Sequence, residues 1–409
     1  LTYEDVTNVD SVGLITARSG INVTGGDVGI GLTNPEDYGN FADDLVIYDS
    51  SQPGMTFASG TSGYGSIYFA DGTVGNAASR GQIQYGHSDD YMAFATAASE
   101  ALRIDSSGNV GIVNSSPSNY SSTGRNLVIG AGSGAAGLTV ASGATNTGNI
   151  YFAAGSTGDD QVRGQIRYNH STESMDLYTD ASLRMRIDGS GSLLVNTSTS
   201  RSVMDQAGNG PTPKLQIEGE DSNGIISVIS AGDADANRCG TINLGRHRNG
   251  TVGGTPTIVQ NGDALGAVVF SGGDGGDMLT CGAKIHAVVD GAPGANDMPG
   301  ALLFSTTPDG QGHGFNTERM RISSTGDVGI GIAPAAQKLQ VHESTASTES
   351  YVHITNAVSG GTSSDGMLLG LDTSANAIVW NAENTVLKFA TNNTERMRIL
   401  AAGGLTFNG

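Results

Sequence analysis

The chain has 409 residues and a formal net charge of −20, a balance that opposes nucleic acid and anionic membrane surfaces, whose phosphates call for Lys and Arg. Charged residues make up only 15% against about 25% in ordinary soluble domains, while 62 residues are glycine, roughly twice the usual share. The polar surface must therefore be Ser, Thr and Asn, and the chain must turn often, as in an extracellular β protein rich in hairpins.

No apolar run approaches the ~20 residues of a membrane span, so no membrane insertion is expected. The acidic, polar start Leu1-Thr-Tyr-Glu-Asp reads as no secretory leader. Residues 1–40 carry Val12-Gly-Leu-Ile-Thr-Ala-Arg-Ser-Gly-Ile-Asn-Val and Asp27-Val-Gly-Ile-Gly, a reduced hairpin that reads as a connecting or capping segment. Repeat one, 41–118, opens at Asp44-Leu-Val-Ile-Tyr and continues through Ser66-Ile-Tyr-Phe-Ala, Arg80-Gly-Gln-Ile-Gln-Tyr-Gly-His-Ser and Met92-Ala-Phe-Ala-Thr. Repeat two, 119–206, runs in parallel with Asn126-Leu-Val-Ile, Asn149-Ile-Tyr-Phe-Ala, Arg163-Gly-Gln-Ile-Arg-Tyr-Asn-His-Ser and Met175-Asp-Leu-Tyr-Thr. Repeat three, 207–337, opens at Lys214-Leu-Gln-Ile, and repeat four, 338–409, at Lys338-Leu-Gln-Val. The third carries an insertion of about fifty residues, with further short strands expected at Gly266-Ala-Val-Val-Phe-Ser, Ala283-Lys-Ile-His-Ala-Val-Val and Gly300-Ala-Leu-Leu-Phe-Ser-Thr.

Each repeat closes on the same phrase, an apolar/charged alternation, a Ser/Gly break and a second alternation, at 100–112, 183–195, 318–330 and 395–407. A period of two on both arms predicts a β-hairpin. Gly108, Gly191, Gly326 and Gly403 fall at the break, where a turn asks for positive φ. On the first arm Leu102 and Ile104, Met185 and Ile187, Met320 and Ile322, and Met397 and Ile399 share one face. Arg103, Arg186, Arg321 and Arg398 lie on the other. These twelve residues are the candidate inter-chain contacts. The arginines read either as solvent-facing or as partners of a carboxylate or carbonyl on a neighbouring chain that fixes register, a task for which the always-charged, planar guanidinium is suited.

Chemistry-bearing residues resolve into structural roles. Cys239 and Cys281 stand as two thiols or one disulfide, and spacing does not decide between them. Gly272-Gly-Asp-Gly-Gly-Asp277 matches one calcium-binding β-roll nonapeptide, but such a site needs stacked copies, so a hairpin turn is expected. Asp290, Asn296 and Asp297 read as a loop, His87 and His170 as equivalent hairpin ends, and Asp89-Asp90 and Asp159-Asp160 as solvated turns. No catalytic, metal or cofactor site is expected.

The run from Ala283-Lys-Ile-His-Ala-Val-Val through Met298-Pro-Gly-Ala-Leu-Leu-Phe-Ser-Thr-Thr, followed by Glu318-Arg-Met-Arg-Ile and Val328-Gly-Ile-Gly-Ile-Ala-Pro, resembles the shaft repeats of tailed-phage tail fibres, especially those of marine and cyanobacterial phages. Val6-Thr-Asn-Val-Asp-Ser-Val-Gly-Leu-Ile-Thr-Ala-Arg-Ser-Gly-Ile resembles a segment frequent in cyanophage structural proteins. The resemblance implies homotrimeric shafts, often upstream of an endosialidase-type intramolecular chaperone that is cleaved off.

Together these readings predict an all-β chain of tandem β-hairpin or β-sandwich-like repeat units, forming an elongated, homotrimeric fibre in the virion and exposed outside the cell. Its expected partners are itself, other tail or baseplate proteins and a host surface glycan or protein. Its expected work is reach and attachment, not catalysis. The competing readings are a glycan-depolymerising tail spike and a cellular surface adhesin or filament subunit.

Overall fold

A computed structural model describes residues 20–38, 42, 44–205, 207–221, 223–230, 239–311, 316–335 and 337–408. Strands β1 (Val28–Ile30) and β2 (Leu45–Ile47) pair in parallel. A six-stranded sheet then follows in chain order: β3 (Tyr64–Phe69), β4 (Gly81–Gly86), β5 (Tyr91–Thr96), β6 (Ser99–Ile104), β7 (Val110–Ile112) and β8 (Leu127–Ile129). Neighbours are antiparallel except the last pair, which is parallel. The same sheet recurs as β9 (Thr147–Phe152), β10 (Gly164–Asn169), β11 (Ser174–Thr179), β12 (Ser182–Ile187), β13 (Leu193–Val195) and β14 (Leu215–Ile217). It recurs again as β15 (Ala264–Gly272), β16 (Thr280–Val289), β17 (Gly300–Thr306), β18 (Thr317–Ile322), β19 (Val328–Ile330) and β20 (Leu339–Val341). Two three-stranded sheets complete the described residues: β21 (Ser350–Ile354), β22 (Met367–Leu371) and β23 (Ala377–Asn381), then β24 (Leu387–Thr391), β25 (Thr394–Ile399) and β26 (Leu405–Phe407). The only helices among the described residues are short 3-10 turns such as Pro117–Asn119, so the fold is all-β.

The chain divides into two compact units, Leu1–Thr139 and Val140–Gly409. The strand that opens each later repeat completes the sheet of the repeat before it: Leu127–Ile129 pairs with Val110–Ile112, and Leu215–Ile217 with Leu193–Val195. Of the N-terminal segment, the stretch 12–19 and the resemblance at 6–19 lie outside the described residues. Val28–Ile30 supplies its second arm and pairs with the strand that opens repeat one. In repeat three, the strands expected within the insertion are the first three of the standard sheet. The additional residues lie largely between Ile217 and Ala264, where no strand is found among the described residues.

A parallel last pair needs a crossover connection, and that connection covers one face of the sheet. Beneath it lie Val128, Leu194 and Gln216, all buried, together with Pro117 and Met204 of the connections themselves. The glycine of the Val-Gly-Ile arm is explained here. A Cβ on Gly111 would stand 2.0 Å from the Asn114 carbonyl oxygen, and one on Gly329 would stand 2.1 Å from that of Ile332. In repeat two Leu194 fills the same position, with no exposed surface.

Candidate assembly surface

The closing hairpins form as the pattern predicts. β6 pairs with β7, β12 with β13, β18 with β19 and β25 with β26. Gly108, Gly191, Gly326 and Gly403 all adopt φ between +76 and +86. In repeat one the turn is held by Asp105, whose carboxylate accepts from the Ser107 and Asn109 amides at 3.0 and 2.9 Å. Burial pushes this carboxyl up, but the Ser118 hydroxyl, the Asn109 side chain and the backbone amides outweigh it and hold it at about 2.

Each first arm carries a β-bulge that simple alternation does not reveal. The register shifts between Phe94 and Ala95, Leu177 and Tyr178, Phe304 and Ser305, and Phe389 and Ala390. A bulge sets two residues against one and re-aims the side chains that flank it. Residues three apart, which regular alternation would place on opposite faces, thereby meet. Arg103 holds Glu100 with two bonds of 2.9 and 2.6 Å and lies 3.7 Å above the centre of the Tyr91 ring. Arg321 holds Glu318 with two bonds of 2.8 Å, and Arg398 is bonded to Glu395. In repeat two Leu183 takes the place of that glutamate, and Asp176 on the adjacent strand supplies the carboxylate. Arg186 reaches it at 2.7 and 3.0 Å and Arg167 at 2.8 Å. Asp176 is fully buried. Burial raises its pKa, but the two guanidiniums more than offset this and hold it below the usual carboxylate range. Each of these four arginines thus pairs with a carboxylate of its own chain. Arg184, Arg319 and Arg396 sit at the bulges and each donate 3.0 Å bonds to the hydroxyls of Thr179, Thr306 and Thr391.

The apolar face behaves differently. Strand register lines up Ile67, Ile83, Phe94, Leu102, Ile112 and Ile129 in a row straight across the first six-stranded sheet. The second sheet aligns Ile150, Ile166, Leu177, Met185, Val195 and Ile217. The third aligns Val268, Ile285, Phe304, Met320, Ile330 and Val341. A neighbouring row passes through Ile104, Ile187 and Ile322, and the last sheet pairs Phe389, Met397 and Phe407 with Leu387, Ile399 and Leu405 beside them. The described chain leaves these rows largely open. Ile104 is 39% exposed, Ile187 47% and Ile399 39%, whereas Ala93 and Val128 on the opposite face are 6% and 8% exposed. The chain's own core therefore lies under the arginine face, and the Met/Ile face is the one without cover.

The remaining candidates take local roles. Cys239 is exposed and Cys281 buried, and both are free thiols. The Gly272-Gly-Asp-Gly-Gly-Asp277 stretch is the turn between β15 and β16. Asp274 spends its oxygens on the Gly276 and Asp277 amides and the Thr280 hydroxyl, which hold it at about 2. Asp290 accepts from the Ser324 amide at 2.8 Å. His87 and His170 stack edge-on against Tyr85 and Tyr168, with ring centres 4.9 Å apart in both repeats. Tyr85 donates to Asp90 at 3.0 Å. Among the described residues no three His, Cys, Asp or Glu gather as a metal site, and no helix is long and apolar enough to cross a membrane.

Sequence reasoning missed the bulges, the Asp176 triad and the buried His286. The triad had a signal: the loss of glutamate at Leu183 coincides with an acid at Asp176 where repeat one has Ala93.

No family model matches the chain, and no curated protein matches it. Several solved chains resemble it, two of them from one tail fibre. One is the carboxy-terminal domain of the bacteriophage T5 L-shaped tail fibre with its intramolecular chaperone domain, at 15% identity and a TM-score of 0.39, covering 56% of this chain and 66% of that one. The other is the same T5 domain alone, at 15% identity and a TM-score of 0.38, covering 56% of this chain and 96% of that one. At these values the likeness carries no argument, and the functional reading rests on the chain's own surfaces.

Proposed function

We propose that this chain is a structural subunit of a phage tail fibre, a shaft in which three copies bring their apolar sheet faces together, giving the virion reach and a means of attachment to a host surface. The observation that carries this reading is the two-row apolar ladder left open on the same face of three successive six-stranded sheets. Soluble monomers rarely expose contiguous apolar patches beyond a few hundred Å². A face-to-face assembly buries these rows while leaving the arginine face, already covered by the crossover connections, on the outside. The choice of three copies rests on the resemblance to tail-fibre shafts. The role is mechanical, with no cofactor, and the partners are further copies of the chain, tail or baseplate proteins and a host surface glycan or protein.

Light scattering on the intact chain tests the reading. The expected mass is three times 41.5 kDa. A folded monomer at micromolar concentration overturns it. Binding of the labelled assembly to host cells, competed by the unlabelled form, tests attachment separately.

A further inference from the structure

Three segments share a feature that the sheets do not explain. Gly54-Met-Thr-Phe-Ala-Ser-Gly60 precedes β3, Gly137-Leu-Thr-Val-Ala-Ser-Gly143 precedes β9, and Gly240-Thr-Ile-Asn-Leu-Gly245 precedes β15. Each alternates large apolar residues with small or polar ones, the pattern of a strand. None is a strand here. No backbone hydrogen bond joins 55–59, 138–142 or 241–244 to any described residue. Their apolar side chains are also uncovered: Phe57 is 50% exposed and Leu138 67%.

Each segment lies as a strap over the first strand of the sheet that follows it, at a glycine. A Cβ on Gly65 would meet the Phe57 carbonyl oxygen at 3.6 Å, one on Gly148 that of Val140 at 3.5 Å, and one on Gly266 the Leu244 Cβ at 2.5 Å. In repeat one the strap and the edge of its sheet enclose an open slot of 590 Å³, with Thr56, Phe57 and Ala58 on one wall and Tyr64, Gly65 and Ser66 on the other. In repeat two the Ser142 hydroxyl is buried without a partner. Extended backbone that becomes buried must find hydrogen-bond partners, and an unpaired sheet edge is a template for another strand.

We infer that the straps are interface strands completed by a second copy of this chain, whose backbone adds along 55–59, 138–142 and 241–244 and ties neighbouring subunits together by main-chain hydrogen bonds. The occupant is another copy because the straps continue the open apolar face, sharing it with Ile67, Ile150 and Val268 two residues beyond Gly65, Gly148 and Gly266, and recur once per six-stranded sheet. The inference rests on the proposed self-assembly and adds its mode: packing of apolar faces alone would leave the strap amides unpaired.

Hydrogen exchange followed by mass spectrometry on the intact assembled protein tests this, with the exposed connection 121–125 as internal reference. Amides of 55–59 and 138–142 are expected to exchange about 100-fold more slowly than the reference. If the mass shows several copies and these amides exchange as fast as the reference, the strap inference fails and the assembly reading stands. A monomeric mass overturns both. In a second arm, the double variant Thr56→Pro, Thr139→Pro removes two strap donors, and its dissociation midpoint is expected to move at least tenfold in concentration. Thr61→Pro, at the second position of the turn closed by the Gly63 amide on the Gly60 carbonyl, suits proline and is expected to leave the midpoint in place. Equal midpoints for all three proteins overturn the inference.

Discussion

Met320→Asp places a carboxylate in the middle of the third apolar row, between Phe304 and Ile330 on the adjacent strands. In the single chain Met320 is only half-buried, so the new carboxylate reaches water and the isolated sheet tolerates it. In the assembly it loses that water. Loss of a buried methionine costs about 2–5 kcal/mol, and burying an unpaired polar group adds about 1–3 kcal/mol. Discounting for partial burial, about 2–4 kcal/mol per chain is reasonable, or roughly 6–12 kcal/mol when the change enters three times. Each 1.4 kcal/mol is about tenfold in an equilibrium constant, so the variant is expected to be dissociated at concentrations where the parent is assembled. Light scattering and melting read this directly. Arg319→Ala is the control: this exposed bulge residue gives up one bond to Thr306, worth within about 1 kcal/mol, and assembly is expected to persist. If both variants assemble and melt like the parent, the Met/Ile face is no interface and the closing hairpins do not organise the assembly.

Three further outcomes follow from the geometry. Asp176→Ala leaves Arg167 and Arg186 facing one another without their shared carboxylate; an expected loss of about 2–4 kcal/mol is read by urea unfolding, and Glu100→Gln, in a more exposed pair, costs less. Because the Asp176 pKa is depressed in the fold, its contribution is present above the unfolded carboxylate value of about 3.9 and is lost as pH falls through the folded value, so parent and variant melting temperatures should converge in acid. His286 is buried with Nδ1 unpartnered; burial first, then Lys284, lowers its pKa, so its contribution is present above about 6.5 and is lost as pH falls below that value, and His286→Leu should flatten the melting-temperature profile below about pH 6.5. Gly111→Ala drives a methyl against the Asn114 carbonyl and should lower the thermal midpoint more than Gly108→Ala, which meets no atom within 4 Å and costs only its positive φ, about 1 kcal/mol.

Two kinds of information separate in this chain. The sequence alone determined the strands, the four closing hairpins and their glycine turns, because a period of two and a residue free to adopt positive φ are local properties. It also determined the tandem order, since the repeated phrases are visible without any coordinates. Tertiary structure decided which face is the core. Met320 and Arg321 alternate in either case, and nothing local says that the crossover connections fold over the arginine side and leave the Met/Ile side open. It also decided the arginines' partners: only the bulge, a feature of two strands in register, brings Glu100 beside Arg103, and only the pairing of β11 with β12 lets Asp176 stand in where Leu183 has replaced the glutamate. Long-range register is set by the sum of many cross-strand contacts, and that sum becomes legible only when the strands lie side by side.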